Sequence, residues 1–496
     1  MPLESRSDVG QPEKRQSMIR ATGSVLVGLL WCLALLSVVV IGVLHTASLD
    51  LRVVKNYGDQ VQAHYLALAG IEKAKALLYQ EAASRKRSAK NHTGDLYDSP
   101  ENFRDVPLGR GQFRVFRQGE REERGRVLYG ISDEESRLNI NQASAEELTK
   151  LYRMTPDVVA AIIDFRDADN TVLPGGAEAE YYASLQPPYI PRNGPFQTLR
   201  ELAMIRGISR ELLLGEDANQ NGLLDPEEDD GSITEPLDNN DGILDAGWSG
   251  LLTLDSLVQS VSASGQDRVN VQSADEKTLG AVPGISADLA KAIVAYRGQN
   301  KLDTLADLLD VSAVRPQNQV NPLEAAAVVN QAGPSSPGSR GSPVITSRSG
   351  APGQQPGNSG GQPTGPKLVS EDLLMEIADD VTAGDSNQSQ AGAININTAS
   401  PAVLECLPGL SKELAQAIVS HRKSAGFFPN IAGLLKVPGM NREIFKQVAP
   451  KVSARSETFR ILSEGKVTST GARKRIQVTV RLGAYSIETL SYREDL

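Results

Sequence analysis

The chain has few residues suited to covalent chemistry or to cross-linking itself. Two cysteines occur in 496 residues, Cys32 inside a long apolar run and Cys406 in a helical segment far from it, so a disulfide framework is excluded. His45, His64, His92 and His421 are scattered, none pairs with a Cys, Ser or Asp in a recognisable spacing, and no Walker loop or nucleophile elbow occurs. These absences argue against an enzyme. Lys and Arg (51) are outnumbered by Asp and Glu (61), and a net charge of −10 speaks against nonspecific affinity of the whole chain for DNA or anionic membranes. Aromatic residues make up only 5%, while 44 Gly and 27 Pro punctuate the chain into units. After the N-terminal segment roughly 410 residues remain, enough for two to four domains.

One apolar run, residues 21–49, follows Lys14, Arg15 and Arg20. Its core, residues 25–44, spans roughly 30 Å as a helix, one crossing of a bilayer. The positive charge lies on the N-terminal side and Asp50 follows the run, so the leader is expected in the cytoplasm and the rest exported. Three readings compete. A cleaved signal peptide has a candidate site near Thr46-Ala47-Ser48, a plain anchor is the second, and a pilin-type leader cut between Gly23 and Ser24 is the third. The third requires the helix to continue outward. Val61, Tyr65, Leu68, Ile71, Ala74 and Leu78 recur at spacings of three and four, and neither Pro nor a Gly cluster interrupts residues 24–71, which predicts one unbroken rod.

A repeat follows. Asn139-Ile140-Asn141 leads to Arg166, Asn270-Val271-Gln272 to Arg297, and Asn395-Ile396-Asn397 to Arg422, each pair of ends 27 positions apart. Each stretch holds two short apolar helices around a pivot, Met154-Thr155-Pro156, Val282-Pro283-Gly284-Ile285 or Leu407-Pro408-Gly409-Leu410. This spacing describes a helix-hairpin-helix unit, present three times. Another helix is expected after each, within 196–202, 302–309 and 427–435. DNA binding by such a hairpin needs a second Gly whose open amides reach a phosphate. Here Ser286, Ser411 and Asn441 stand at that place. The first unit carries three basic and six acidic groups (139–170), the second four and six (269–311), the third seven and three (395–452). No nucleic acid is expected as a partner, and the hairpins are read as packing and protein-contact surfaces. The rival reading is a membrane-tethered DNA receptor of the transformation type, built on the third unit.

Residues 216–245 hold eleven carboxylates and no Lys or Arg. Part of this block has ligand spacing: Asp217, Asn219 and Asn221 at positions 1, 3 and 5 of a twelve-residue loop, Gly222 at the turn, the Leu223 carbonyl at 7, Asp225 at 9 and Glu228 at 12. Pro226 and the lack of a following helix make it a calcium loop outside a paired EF-hand. A second, incomplete loop offers Asp238, Asn240, Asp241 and Asp245. Oxygen donors without His or Cys favour Ca²⁺, here as a structural ion. Residues 333–366, rich in Gly, Pro, Ser and Gln, are expected to be a flexible linker, and 367–381 a short amphipathic helix.

Strand signals lie only at the flanks of the helical region: 111–118 and 125–131 before it, 459–465, 473–482 and 486–492 after it. One antiparallel sheet packed on the rod, with the helical units inserted between its second and third strands, accounts for them.

The residues 23–31 (Gly23-Ser24-Val25-Leu26-Val27-Gly28-Leu29-Leu30-Trp31), the helix 67–74, the helical middle and the last forty residues together resemble the K-type minor pseudopilins of the bacterial type II secretion system. Most pilin-like proteins have Glu at the fifth mature residue; Gly28 stands there, and the K subunit is the member that lacks it. The resemblance implies an α+β fold: a long N-terminal helix on a small antiparallel sheet, with a large all-α insert of three helix-hairpin-helix units. The boundaries then read 1–23 leader, 24–46 membrane span, 47–85 exported helix, 104–137 first strands, 138–215 first unit, 216–248 calcium loops, 249–332 second unit, 333–366 linker, 367–455 third unit and 456–496 last strands. It further implies a subunit at the pseudopilus tip supporting export of folded proteins, cleavage by prepilin peptidase, calcium in the insert, I- and J-type minor pseudopilins as partners, contact with the inner-membrane secretion platform, and a single-pass inner-membrane protein with its bulk in the periplasm.

Overall fold

The computed structural model describes residues 17–91, 94–119, 123, 125–231, 233, 238–313, 366–384, 389–483 and 486–494, with side chains from Val25 onward. The expected linker, but for Pro366, and the expected leader, but for the helical backbone from Ser17, lie outside them.

A single helix, α1, runs from Ser17–Ser88 without a break, about 108 Å at 1.5 Å per residue. Val25 to Tyr57 carry their apolar side chains exposed all round, and the stretch includes an 18-residue window of mean hydropathy 2.8. That helix is long and apolar enough to cross a membrane once, as a single-pass anchor. Burial begins at Asp59 and alternates along one face through Ala63, Leu66, Ala67, Ile71, Ala74 and Leu78.

This face packs on one antiparallel sheet. Its strands are β1 (Val106–Leu108), β2 (Gly111–Val115), β3 (Ser132–Asp133), β4 (Thr458–Val467), β5 (Arg473–Leu482) and β6 (Ile487–Arg493), in the order β1-β2-β4-β5-β6, with β3 pairing the far end of β4. Val115, Ile461, Ile476, Val478 and Val480 close the core against the helix. β2 and β4 are neighbours in the sheet, Phe113 opposite Gly465, although more than 300 residues of helical head separate them in sequence. The head is an insertion between adjacent strands.

Two expectations are corrected here. Of the expected stripe Ile71, Ala74 and Leu78 are buried, but Val61 and Tyr65 are 38% and 65% exposed, so the N-terminal part of the buried face is not the stripe of large apolar residues. Ala63, Ala67 and Gly70 face the sheet instead. A Cβ on Gly465 would lie 2.1 Å from the Ala63 carbonyl oxygen, so only small residues fit so close an approach of helix and strand. Residues 125–131 also do not form the second strand of the sheet. Val127–Leu128 pairs with Arg117–Gln118 in a separate ribbon, and β3 adds to β4 instead.

Candidate functional site

The head repeats one device three times. A two-residue strand opens each unit and pairs in parallel with a two-residue strand that closes it: Leu138–Asn139 with Leu252–Thr253, Val269–Asn270 with Val381–Thr382, and Ile394–Asn395 with Val452–Ser453. The repeated Arg then reaches back to the start of its own unit. Arg297 donates to the Val271 carbonyl at 3.0 Å and Arg422 to the Ile396 carbonyl at 2.9 Å; Arg166 donates to Ile140 and, at 2.5 Å, to Ala143. The third residue of each motif binds the segment after the hairpin: Asn141 with the Phe196 backbone, Gln272 with the Leu302 amide, Asn397 with the Phe428 backbone. The 27-residue spacing therefore records a folding constraint.

The second unit closes later than its sequence suggests. Its last helix is Glu371–Ile377, whose Ile377 and Glu376 cover the Gly284 pivot as Ile444 and Gln447 of Arg442–Val448 cover Gly409. A unit boundary at 367 is thus corrected, because 367–382 supplies the closing helix and strand of the second unit. The third helix signals are short 3₁₀ turns, Leu199–Met204, Leu305–Asp310 and Ile431–Lys436.

These contacts also bear on nucleic acid. The Gly409 and Gly284 pivots face protein, and Ser286, Ser411 and Asn441 serve as N-caps whose side chains accept from the Leu289, Leu414 and Ile444 amides. The basic third unit spends several of its charges on its neighbours: Lys451 on Glu147 at 3.2 Å, Lys436 on Asp372 at 2.7 Å, Arg442 on Asp310 at 3.9 Å and Lys446 on Asp307. Both features that a phosphate would use are engaged within the chain.

Three consecutive acids, Asp133, Glu134 and Glu135, join head to sheet, all buried. Asp133 accepts from Asn395 at 3.0 Å, Ser456 at 2.5 Å and Thr398; Glu135 accepts from the Leu257 amide at 3.2 Å and the Thr458 amide at 3.1 Å. Burial raises the pKa of both, and Glu135 is pushed well up by burial, then by the Asp133 charge and hydrogen bond. For Glu134 burial pushes upward too, but Arg460 (2.7 Å) and Arg137 (3.2 Å) outweigh it and hold the carboxyl below its usual range. A raised acid binds more protons folded than unfolded, so its effect is destabilising as pH rises from the usual carboxylate range through the folded value. Unfolding midpoints measured from pH 5 to 8 are expected to fall less steeply in Glu135→Gln than in the parent. Identical slopes would remove the dyad from the account.

The first acidic loop lies against the sheet. Leu223 is buried between Phe116 and Leu462, Arg493 donates to the Gln220 carbonyl at 2.9 Å, and Arg475 lies 3.5 Å from Asp225. Gln220 and Gly222 take positive φ, 58° and 71°, to turn the loop. Asp217 accepts from the Asn221 and Gly222 amides, both at 3.0 Å, and Glu228 from the Asn219 and Asp225 amides, both at 3.3 Å. Asp225 accepts from the Asn219 and Asn221 side-chain amides at 3.1 and 2.6 Å. Burial raises the pKa of Asp217 and of Glu228, the latter also through Asp217 and Asp225. The donor set is oxygen throughout, with two buried carboxylates that a hard dication would relieve, so these residues fit calcium.

In the second loop Asp238, Asn239 and Asp241 accept from the Asn240, Asp241 and Ile243 amides, and Asp245 from the Gly247 amide. Glu216 holds the two loops together, accepting from the Asn239 amide at 3.2 Å and the Asp245 amide at 2.9 Å. It was legible only as the neighbour of Asp217. A further set, Asp167, Asp169 and Glu178, escapes the sequence reading altogether, although it repeats the 1, 3, 12 spacing. One oxygen of each lies within 4.8 Å of the others.

An apolar helix continuous with a small antiparallel sheet, and a helical head inserted between two of its strands, give a pilin-like α+β architecture with one helix able to cross a membrane. Residues 128–214 match the family described as type II secretion system (T2SS), protein K, and residues 264–319 and 389–453 match the helix-hairpin-helix motif. The chain thus carries a segment that matches the protein K domain together with helix-hairpin-helix motifs, and the resemblance to K-type minor pseudopilins holds. A chain of the crystal structure of the GspK-GspI-GspJ complex from the enterotoxigenic Escherichia coli type 2 secretion system superposes with a TM-score of 0.37 at 13% identity, over 91% of this chain and 99% of that one. Endonuclease/exonuclease/phosphatase family domain-containing protein 1 is 26% identical in Bos taurus and 27% in Homo sapiens over 193 residues, 38% of this chain. The chain spans 28% of the length of these curated relatives.

Proposed function

We propose that this chain is the tip subunit of a type II secretion pseudopilus and supports export of folded proteins across the outer membrane. The observation that carries this reading is the helix α1, which passes without interruption from the apolar span onto the sheet that bears the head. A push delivered by neighbouring helices then reaches the head through one rigid element. Gly28 supports the tip position: a membrane Glu needs a partner, commonly the free amine of the next subunit's first residue, and without it no subunit is held above. The head, inserted between β2 and β4, blocks further addition on that side.

On this reading prepilin peptidase cuts between Gly23 and Ser24, the helix packs against I- and J-type minor pseudopilins and is delivered by the inner-membrane platform, and the head lies in the periplasm. Calcium held by Asp217, Asn219, Asn221, Leu223, Asp225 and Glu228 fixes the acidic loop on the sheet, and Asp238, Asn240, Asp241 and Asp245 take a second ion. The subunit performs no catalysis. Co-expression with the I- and J-type subunits tests the proposal, combining N-terminal sequencing with co-purification in calcium and in chelator. A mature chain starting at Ser24 and a three-subunit complex are expected. A chain starting near Ser48, or one that purifies alone in calcium, overturns it.

A further inference from the structure

A cavity of about 730 Å³ opens where the end of α1, the second unit and the third unit meet. Cavities of this size hold small organic ligands. Pro283 of the second hairpin, Met375 of the helix that closes the second unit, and Phe427 and Pro429 of the third unit give it apolar walls. Phe427 is held from behind, its ring 6.4 Å from that of Tyr97 and against Gly94, where a Cβ would lie 2.5 Å from the ring.

Three acceptors of the lining lack a matching donor. Asn91 donates its Nδ2 to the Pro429 carbonyl at 2.6 Å, which orients the amide, and its Oδ1 is left buried without a hydrogen-bond partner. Asp379 is already engaged, by Arg268 at 3.1 Å and by the Ala263 amide at 2.7 Å. Asp380 and Glu376 are not: Asp380 is half-buried, Glu376 is exposed, and among the described residues neither carboxylate forms an ion pair or a side-chain hydrogen bond. Burial, and next the Asp379 charge, raise the Asp380 carboxyl above its usual range. Lys90, a cation of the lining, is exposed and pairs with neither acid among the described residues.

Unmatched acceptors between apolar walls select a ligand that carries donors on an apolar body. A bare metal ion would use the carboxylates and leave the walls wet, and an uncharged apolar molecule would do the reverse. An ammonium or guanidinium on an aliphatic stem satisfies both. Its N–H groups donate to the acids in charge-assisted hydrogen bonds, while the stem lies along Met375 and the Phe427 ring, whose face also attracts a cation.

We propose that this cavity binds an organic cation, an ammonium or guanidinium on an aliphatic stem, supplied either by a free polyamine or by the Lys or Arg side chain of another polypeptide.

The full chain in detergent is titrated with spermidine and, separately, with the blocked peptide acetyl-Ala-Arg-Ala-amide. Calcium chloride is present throughout, so that neither ligand competes for the carboxylates at 216–245. Calorimetry reads the affinity, and ¹³C-methyl spectra of the six methionines read the place, with Met375→Leu identifying the resonance. The Met375 methyl is expected to shift with at least one ligand. The double variant Glu376→Gln, Asp380→Asn is expected to weaken that binding by about tenfold or more, the effect of losing a hydrogen bond to a charged group. A response to spermidine alone assigns the site to free polyamines, and a response to the peptide assigns it to the side chain of a polypeptide. A Met375 methyl that moves with neither ligand, or the parent's affinity in the double variant, overturns the site.

Discussion

Replacing Gly465 by valine is expected to detach the long helix from the sheet. A Cβ at this position would lie 2.1 Å from the Ala63 carbonyl oxygen, 2.5 Å from the Ala67 nitrogen and 2.7 Å from the Leu66 Cβ. Two of these are backbone atoms of a helix and cannot swing aside. Overpacking of a well-filled core costs roughly 1–3 kcal/mol and sometimes more when the obstacle is rigid; here the upper end or beyond is expected. The effect should appear as a lowered unfolding midpoint and protease cleavage after the membrane span. Gly58→Ala is the contrasting change: it sits in the same helix with nothing within 4 Å of its Cβ position, so it is expected to stabilise by about 0.5–1 kcal/mol. A Gly465→Val chain with the parent's midpoint and protease resistance would show that helix and strand are not in contact as described.

Chelation is expected to produce the second large effect. Asp217 and Glu228 are 4% and 7% exposed, and burial already disfavours their charged forms. Calcium at one hundred times its dissociation constant stabilises a single site by about 2.7 kcal/mol. The calcium-induced rise in unfolding midpoint should shrink in Asp217→Asn with Glu228→Gln, and the parent should become susceptible to proteolysis within 216–248 in chelator. Because Leu223 inserts between Phe116 and Leu462, loosening this loop also loosens the head from the sheet. A double variant whose midpoint responds to calcium as fully as the parent's would remove these residues as ligands.

Much of the architecture was legible because its signals are periodic. The apolar run and the uninterrupted helix after it needed no tertiary context, and the N-x-N to Arg spacing marked three units. Its reason emerges only in the fold, where each Arg bonds the carbonyl beside its own unit's first Asn. The buried face of the helix was legible at Ile71, Ala74 and Leu78 but not before them, since periodicity weights large residues and the sheet selects Ala63, Ala67 and Gly70 for closeness. The closing helix of the second unit reads in sequence as part of the third because the long Gly-, Pro- and Ser-rich stretch between Ala313 and Pro366 separates it from the hairpin it covers. Glu178 escaped because its burial beside Asp167 and Asp169 is a property of packing.

The sequence by itself determined the membrane helix, the oxygen-rich loop and the count of helical units, since each depends on residues near one another along the chain. Only the tertiary structure decided that β2 meets β4 across the inserted head, that three acids at 133–135 are buried at that joint, and that several charges of the basic third unit pair with acids of its neighbours. These depend on which distant surfaces exclude water from one another, and neither composition nor spacing carries that information.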